Sequence, residues 1–194
     1  MKRFLGSNRL RTAIFISGTG SNFKNLVRFS LSKNAPIKIN LVISNNSKAK
    51  GLVFAKQKKI KNKIYRFKNV NKDEKNILNI LKKNNIKLIC LAGFMKILSK
   101  NFIKKFQGKI LNVHPSLLPK YKGLNTHKRV LSNNDKFSGC TIHFVNSKLD
   151  SGEIILQKKV KVKKNDTPKT LSKRILKQEH ILYPKAIKKI LVNL

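Results

Sequence analysis

The sequence predicts an α/β fold, a single domain with a mostly parallel central sheet and helices on both of its faces. Three observations carry that expectation. Short apolar runs alternate along the chain with stretches whose apolar residues recur at helical spacing. Near the amino end, one run stops in Ser17-Gly18-Thr19-Gly20-Ser21-Asn22, and a helical pattern follows at once. Further on, the runs at 88–92 and 110–115 break off abruptly, at Gly93 and at His114-Pro115. Open parallel sheets bind ligands outside the carboxyl ends of their strands, so chemistry is expected at these stops.

Residues 1–11 form a basic amino-terminal extension, and 12–194 the one domain. Residues 12–16 are a buried strand, and Phe23, Leu26 and Val27 mark the core face of the first helix. Strand, glycine turn and helix start make an anion site, because free N–H groups and the helix dipole favour a phosphate. The turn lacks the last glycine of a dinucleotide fingerprint and the lysine of a P-loop, so a plain strand-to-helix turn stays open. A strand at 37–43, a short helix at 49–58 and a strand at 63–66 follow. Residues 73–84 predict a helix with Ile77, Ile80 and Leu81 inward and an Asp73-Glu74 start suited to the dipole.

The strands at 88–92 and 110–115 are separated by a helix capped by Ser99. Asn112 and His114 lie two apart in the second strand and so share a face. Pro115 cannot donate to a sheet ladder and ends that strand beside the histidine. Residues 120–125 are a loop and 126–131 a helix. Strands at 140–145 and 154–162, joined by residues 146–153, are neighbours near a sheet edge with Lys161 and Lys163 exposed. Asp166-Thr167-Pro168 starts a long helix, whose core stripe ends in Ile187, Ile190, Leu191 and Leu194. There is no internal repeat or linker.

At 194 residues, 40% of them hydrophobic, one domain buries about 70% of its unfolded surface. The 45 Lys+Arg against 7 Asp+Glu give a formal charge of +38. Such a balance is compatible with a nucleic-acid partner, but the lysines form no single cluster and no binding motif accompanies them. A bias spread over solvated faces is the expectation, with weak non-specific polyanion binding. Cys90, inside an apolar run, and Cys140, at a strand start, make no disulfide framework or metal-ligand spacing, which points to a reducing compartment. No apolar run approaches membrane-spanning length, and Met1-Lys2-Arg3 is not followed by a signal-like apolar stretch. A cytoplasmic protein is expected.

Taken singly, the chemistry-bearing residues have ordinary alternatives. An Asn near a strand end is often a turn former, a His often packs structurally, and Asp150 before Ser151-Gly152 suits an Asx turn. Their order along the chain adds what each lacks. Asn112-Val113-His114-Pro115-Ser116-Leu117-Leu118-Pro119-Lys120-Tyr121, with Gly123 and Thr126-His127, resembles the core motif of the folate-dependent formyltransferases. The resemblance extends to Ser17-Gly18-Thr19-Gly20-Ser21-Asn22, Leu91-Ala92-Gly93-Phe94-Met95, His143-Phe144-Val145, Leu149-Asp150-Ser151-Gly152 and Gln178-Glu179-His180. It covers roughly residues 12–190 and is strongest to the members that formylate glycinamide ribonucleotide.

The resemblance implies a Rossmann-like formyltransferase fold and formyl transfer from the co-substrate 10-formyltetrahydrofolate to the glycine amine of glycinamide ribonucleotide, a step of purine synthesis. It implies Asn112, His114 and Asp150 as catalytic. It places the substrate phosphate and ribose on Gly20, Ser21, Asn22, Gln178 and Glu179. The folate contacts it implies are Met95, Lys96, Ile97, Leu98, Asn112, Asn146, Ser147, Lys148, Leu149 and Asp150, with no metal. A solvent-facing Glu179 on a basic helix is the ordinary alternative at that position. Family members often carry Arg where Lys96 stands, so a planar fork becomes a point charge. A second basic folate contact has no clear match among residues 68–72. His143, in an alternating strand, and His127, at a helix start, rank lower. A formyltetrahydrofolate deformylase is the nearest enzyme alternative, and a basic nucleic-acid module without catalysis the alternative of another class. Deformylases and the relatives that formylate methionyl-tRNA carry an extra domain, for which this length leaves no room. The expected partners are the two small-molecule substrates, without specific nucleic acid or membrane, in a monomer or homodimer.

Overall fold

The computed structural model describes residues 9–192. The expected extension at 1–11 falls largely outside them, and the first strand already begins at Leu10, inside it. Seven strands form one sheet in the order β3-β2-β1-β4-β5-β6-β7. The chain divides into two compact units at the Leu111/Asn112 peptide, within β5.

The first unit holds β1 (Leu10–Ile16), α1 (Ser21–Ser30), β2 (Ile37–Ser44), α2 (Lys50–Gln57), β3 (Asn62–Ile64), α3 (Val70–Lys83), β4 (Leu88–Leu91) and α4 (Lys100–Lys105). Strands β3, β2, β1 and β4 pair in parallel, with Leu10 opposite Ile37 and Thr12 opposite Leu88. Such strands are covered on both faces, which is why they read as continuous apolar runs. Ala13 to Ile16, Leu41 to Ile43 and Leu88 to Cys90 are all fully buried. Phe15 packs edge-on against Phe94 and Phe102, with ring centroids 5.4 and 6.5 Å away. Pairs of this kind contribute about 0.5–1.5 kcal/mol each beyond the area they bury.

Several boundaries differ from expectation, each for a local reason. β3 ends at Ile64 and not at Arg66: Tyr65 still donates to the Ser44 carbonyl, but Phe67 turns the chain at a φ of 56°. α3 starts three residues before Asp73, because the Asn69 side chain accepts from the Lys72 amide and caps it there. On its inner face Ile77 and Leu81 are buried, Ile80 is half-buried, and Glu74 is the third buried residue. Its carboxylate accepts from the Ser99 amide at 2.8 Å and from the Ser99 hydroxyl. Ser99 in turn caps α4 as expected, accepting from Phe102 N. β4 ends at Leu91, although Ala92 N still reaches the Phe15 carbonyl.

The second unit carries the end of β5 (Lys109–His114), α5 (Thr126–Ser132), β6 (Phe137–Phe144), β7 (Ile154–Lys161) and α6 (Pro168–Val192). β6 and β7 pair antiparallel, and β7 is the edge strand, with Lys161 exposed on it and Lys163 exposed just beyond. β6 begins three residues before Cys140, which therefore lies mid-strand and not at a strand start. At the start of α6, Asp166 accepts from Lys163 N, the Thr170 hydroxyl and the Arg174 guanidinium. The Arg174 bonds, more than anything else, hold that carboxyl down at about 2. On α6, Ile187 and Leu191 are buried and Ile190 is half-buried, whereas Leu194 lies outside the described residues. Helix α6 runs through Pro184.

Candidate active site

In the second unit, Asn112 and His114 leave β5 on one face and meet the same carboxylate. Asp150 Oδ2 lies 3.3 Å from His114 Nδ1 and accepts from Gly123 N at 2.8 Å. Its Oδ1 accepts from Asn112 Nδ2 at 3.4 Å. The side chains of His114 and Asp150 are only 6% and 8% exposed, so their attraction is little screened by water. His114 Nε2 donates to the Tyr121 carbonyl at 2.8 Å. Both ring nitrogens thus face oxygen acceptors.

The loops that deliver these groups are closed by their own polar side chains. Ser116 Oγ donates to the Lys120 carbonyl at 2.6 Å, and Thr141 Oγ1 to the Ser116 carbonyl at 2.6 Å. In the turn before β7, it is Asn146 that makes the Asx-type contact, accepting from Lys148 N. Asp150, in the left-handed region at a φ of 44°, is left to reach across to Gly123 and His114. Gly152 is required there, since a Cβ would stand 1.8 Å from the Phe144 carbonyl oxygen. Leu149 is 52% exposed beside Asp150, and Leu124 71% exposed.

His143 joins this cluster. Its Nε2 is 3.2 Å from Asn112 Nδ2 and 3.7 Å from Asp150 Oδ1, and its Nδ1 donates to the Phe144 carbonyl at 2.8 Å. A ring that donates through Nδ1 and is neutral accepts through Nε2, so it takes one Asn112 amide N–H and leaves the other directed at Asp150 Oδ1. His143, ranked low from the sequence, is thus placed in contact with Asn112 and Asp150. The available signal was Thr141 and His143 alternating as buried polar residues on β6. His127 is also within reach of the cluster's field: burial first, and the neighbouring His114 second, push its pKa below the ordinary value. Its Nδ1 is buried without a hydrogen-bond partner among the described residues. On α6, Glu179 is 7% exposed, not solvent-facing. The Cys140 thiol is pushed up to about 12, by burial and then by the charge of Glu179. Gln178 is half-buried on the same helix.

In the first unit, Gly20 caps α1 at a φ of 71°, and Ser21 and Asn22 form its first turn. Gly20 rests on Gly51: a Cβ would stand 2.9 Å from the Gly51 Cα. Ser17, one residue before the turn, donates to Asn45 Oδ1 at 2.5 Å and accepts from Met95 N at 2.7 Å. This hydroxyl ties together the loops that follow β1, β2 and β4, a role that only the tertiary structure reveals. Met95, Lys96 and Ile97 are exposed, whereas the Leu98 side chain is buried in the core and leaves only its backbone for a ligand. Among the described residues no group of His, Cys, Asp and Glu is placed to hold a metal ion. No helix there is long and apolar enough to cross a membrane.

The model of the family described as Formyl transferase matches residues 10–187. The chain belongs to the formyl transferase family. It is 42% identical to a phosphoribosylglycinamide formyltransferase of Haemophilus influenzae, over 92% of this chain and 85% of the relative. It is also 42% identical to the human trifunctional purine biosynthetic protein adenosine-3, of which it spans 18% of the length. The solved phosphoribosylglycinamide formyltransferase of Brucella melitensis superposes with a TM-score of 0.89, at 42% identity and coverage of 94% and 96% of the two chains.

The His143 geometry has a measurable consequence. Burial is the main cause that pushes the His143 pKa down, against the Phe144 carbonyl and Asp150, which push it up. A histidine with a depressed folded pKa contributes stability that is fully present above its unfolded value, about 6.5. That contribution is lost as pH falls from there through the folded value. As pH falls from roughly 8 to 5, the unfolding free energy from denaturant titrations should therefore fall more steeply in the native chain than in His143→Gln, by up to about 1.4 kcal/mol per pH unit. Parallel curves would mean that His143 does not titrate as a buried neutral ring.

Proposed function

We propose that the chain transfers a formyl group from 10-formyltetrahydrofolate to the glycine amine of glycinamide ribonucleotide, giving formylglycinamide ribonucleotide in purine synthesis. The observation that carries this is the cluster of His114 with the half-buried Asn112 and Asp150, in a chain similar over most of its length to phosphoribosylglycinamide formyltransferases. Residues 12–194 act as the one catalytic domain, as a monomer or homodimer. The two buried free cysteines suit the reducing cytoplasm.

In the first unit the exposed side chains of Met95 and Ile97 suit the flat rings of a folate and Lys96 a carboxylate, and in the second unit Leu149 and Lys148 offer the same pair of chemistries. The folate supplies the formyl group. On substrate binding Asn112 turns to the formyl oxygen the amide N–H it now gives to Asp150 Oδ1, as negative charge grows there, a contribution of roughly 3–4 kcal/mol for one such donor. His114 adds a second donor and gives a proton to the leaving nitrogen. Asp150 holds the imidazole in place and stabilises its protonated form, and the proton lost by the attacking amine returns to this pair, so the count balances. Gly20, Ser21 and Asn22 set the α1 amino terminus, with its favourable dipole, against the substrate phosphate. Glu179 and Gln178 serve as partners of the ribose hydroxyls.

The test is incubation with both substrates and detection of formylglycinamide ribonucleotide by mass spectrometry. Release of formate without a nucleotide product would instead identify a deformylase. The charge of +38 gives a second check, because both substrates are anionic. From roughly 10 mM to 150 mM salt the screening length shrinks from about 30 to about 8 Å. Over that range kcat/KM should fall by about tenfold or more, while relief of self-repulsion raises the melting temperature. A random oligonucleotide should compete with substrate only at the low end. Competition that survives at the high end, or favours one sequence, would restore the nucleic-acid reading.

A further inference from the structure

Strands β2, β1 and β4 lie side by side in the first unit, and one hydroxyl holds the turns that follow them. Ser17 Oγ donates to Asn45 Oδ1, in the turn after β2, and accepts from Met95 N at 2.7 Å, in the turn after β4. The Ser17 carbonyl accepts from Asn46 Nδ2 at 3.1 Å. One residue on, the Gly18 carbonyl accepts from Gly51 N at 3.1 Å, which seats the phosphate turn on the start of α2. The Met95–Leu98 segment has two further anchors. Beside it, the Phe94 ring stands edge-on to Phe15 and Phe67, with centroids 5.4 and 5.6 Å away. At its far end, Glu74 accepts from the Ser99 amide at 2.8 Å. Between these anchors Met95, Lys96 and Ile97 are exposed. Ser17 is the anchor that also leads directly into the turn at 18–22.

We propose, resting on formyl transfer as the function, that Ser17 is a positioning residue that couples the two substrates, so that a phosphate held at residues 20–22 tightens folate binding at Met95–Leu98. The cause is shared ordering. A phosphate at the α1 amino terminus fixes the turn, and the turn fixes Ser17. Its hydroxyl then restrains Met95 N, so that less freedom is left to lose when the folate arrives. The coupling is reciprocal, each ligand tightening the other by the same factor. The one proton of the hydroxyl already goes to Asn45, so Ser17 acts through the turns it joins and not on the reacting atoms.

The test titrates the full chain with tetrahydrofolate, which has no formyl group to transfer, with and without saturating glycinamide ribonucleotide, by calorimetry. In the native chain the nucleotide should lower the folate dissociation constant about fivefold or more, the lower end of ordinary couplings between sites. Ser17→Ala should bring that factor close to one. Its melting temperature should stay within a few degrees of native, because Met95 is exposed and Asn45 half-buried, where water can replace the lost bonds. Ser17→Thr, which keeps the hydroxyl, should retain the native factor, and so should Ser47→Ala, exposed in the same turn as Asn45. Hydrogen exchange at the Met95 amide of the free chain should quicken about tenfold in Ser17→Ala and stay slow in Ser17→Thr. A native factor near one, an equal factor in Ser17→Ala, or unchanged exchange at Met95 would each overturn the proposal. A native chain that binds neither ligand would remove formyl transfer as the function, and this coupling with it.

Discussion

Asp150→Asn should lower kcat by on the order of 10³ while moving the melting temperature by only a few degrees. The substitution keeps size and shape, and Asn is among the residues that accept the left-handed backbone found at this position. What it removes is charge. An amide can keep one acceptor oxygen for Gly123 N, but its nitrogen then faces the Asn112 amide and His143, near where Asp150 Oδ1 stands now. The His114 ring loses the carboxylate beside its Nδ1, and with it the return path of the proposed proton relay. His114→Ala should lose about 10² to 10³ in kcat for want of the same relay. The double variant should be little worse than the poorer single one, because the two residues act as a unit. Steady-state kinetics on the three variants at saturating substrate checks this. Near-normal turnover in His114→Ala would remove the imidazole from the mechanism.

Gly20→Val and Gly18→Val should separate binding at the α1 turn from folding. At Gly20 a side chain must adopt a φ of 71° and stand against the Gly51 backbone, so strain and overpacking together should cost about 2–4 kcal/mol. That corresponds to a fall of roughly 5–15 °C in melting temperature for a chain of this size. Damage to Gly20 therefore reaches both ligands through the fold. At Gly18 a Cβ meets nothing within 4 Å, yet it stands on the exposed face of the same turn. Gly18→Val should keep the melting temperature and raise KM for glycinamide ribonucleotide about tenfold or more, leaving KM for the folate unchanged. Equal rises in both KM values would take the phosphate away from this turn.

The alternation of strands and helices was legible because burial on both faces leaves a continuous apolar signal in β1, β2 and β4. Boundaries were less so where a side chain made the decision. Asn69 starts α3 by capping it, a contact that its residue type permits but does not announce. The front of β6 reads as a break because Gly139 stands in it, yet a Cβ there would lie 2.1 Å from the Lys158 carbonyl oxygen across the strand pair. Asn112, His114 and Asp150 were legible through spacing and motif order. His143, Glu74 and Ser17 were not. Each is a polar residue that looks ordinary in its own segment and gains its role from a partner far along the chain: Asn112, Ser99 and Met95, respectively.

Both ends of the strand order carry lysine. β3 is three residues long with Lys63 exposed at its centre, and β7 exposes Lys158, Lys159 and Lys161. A sheet edge is an open template, and a second copy of the chain is the strand most available to add to it. Here each approach would set ammonium groups opposite ammonium groups, and like charges directly across a strand pair are destabilising. The same excess of positive charge that works against compactness therefore guards against edge-to-edge aggregation, with most effect while newly made chains are crowded and their cores still incomplete.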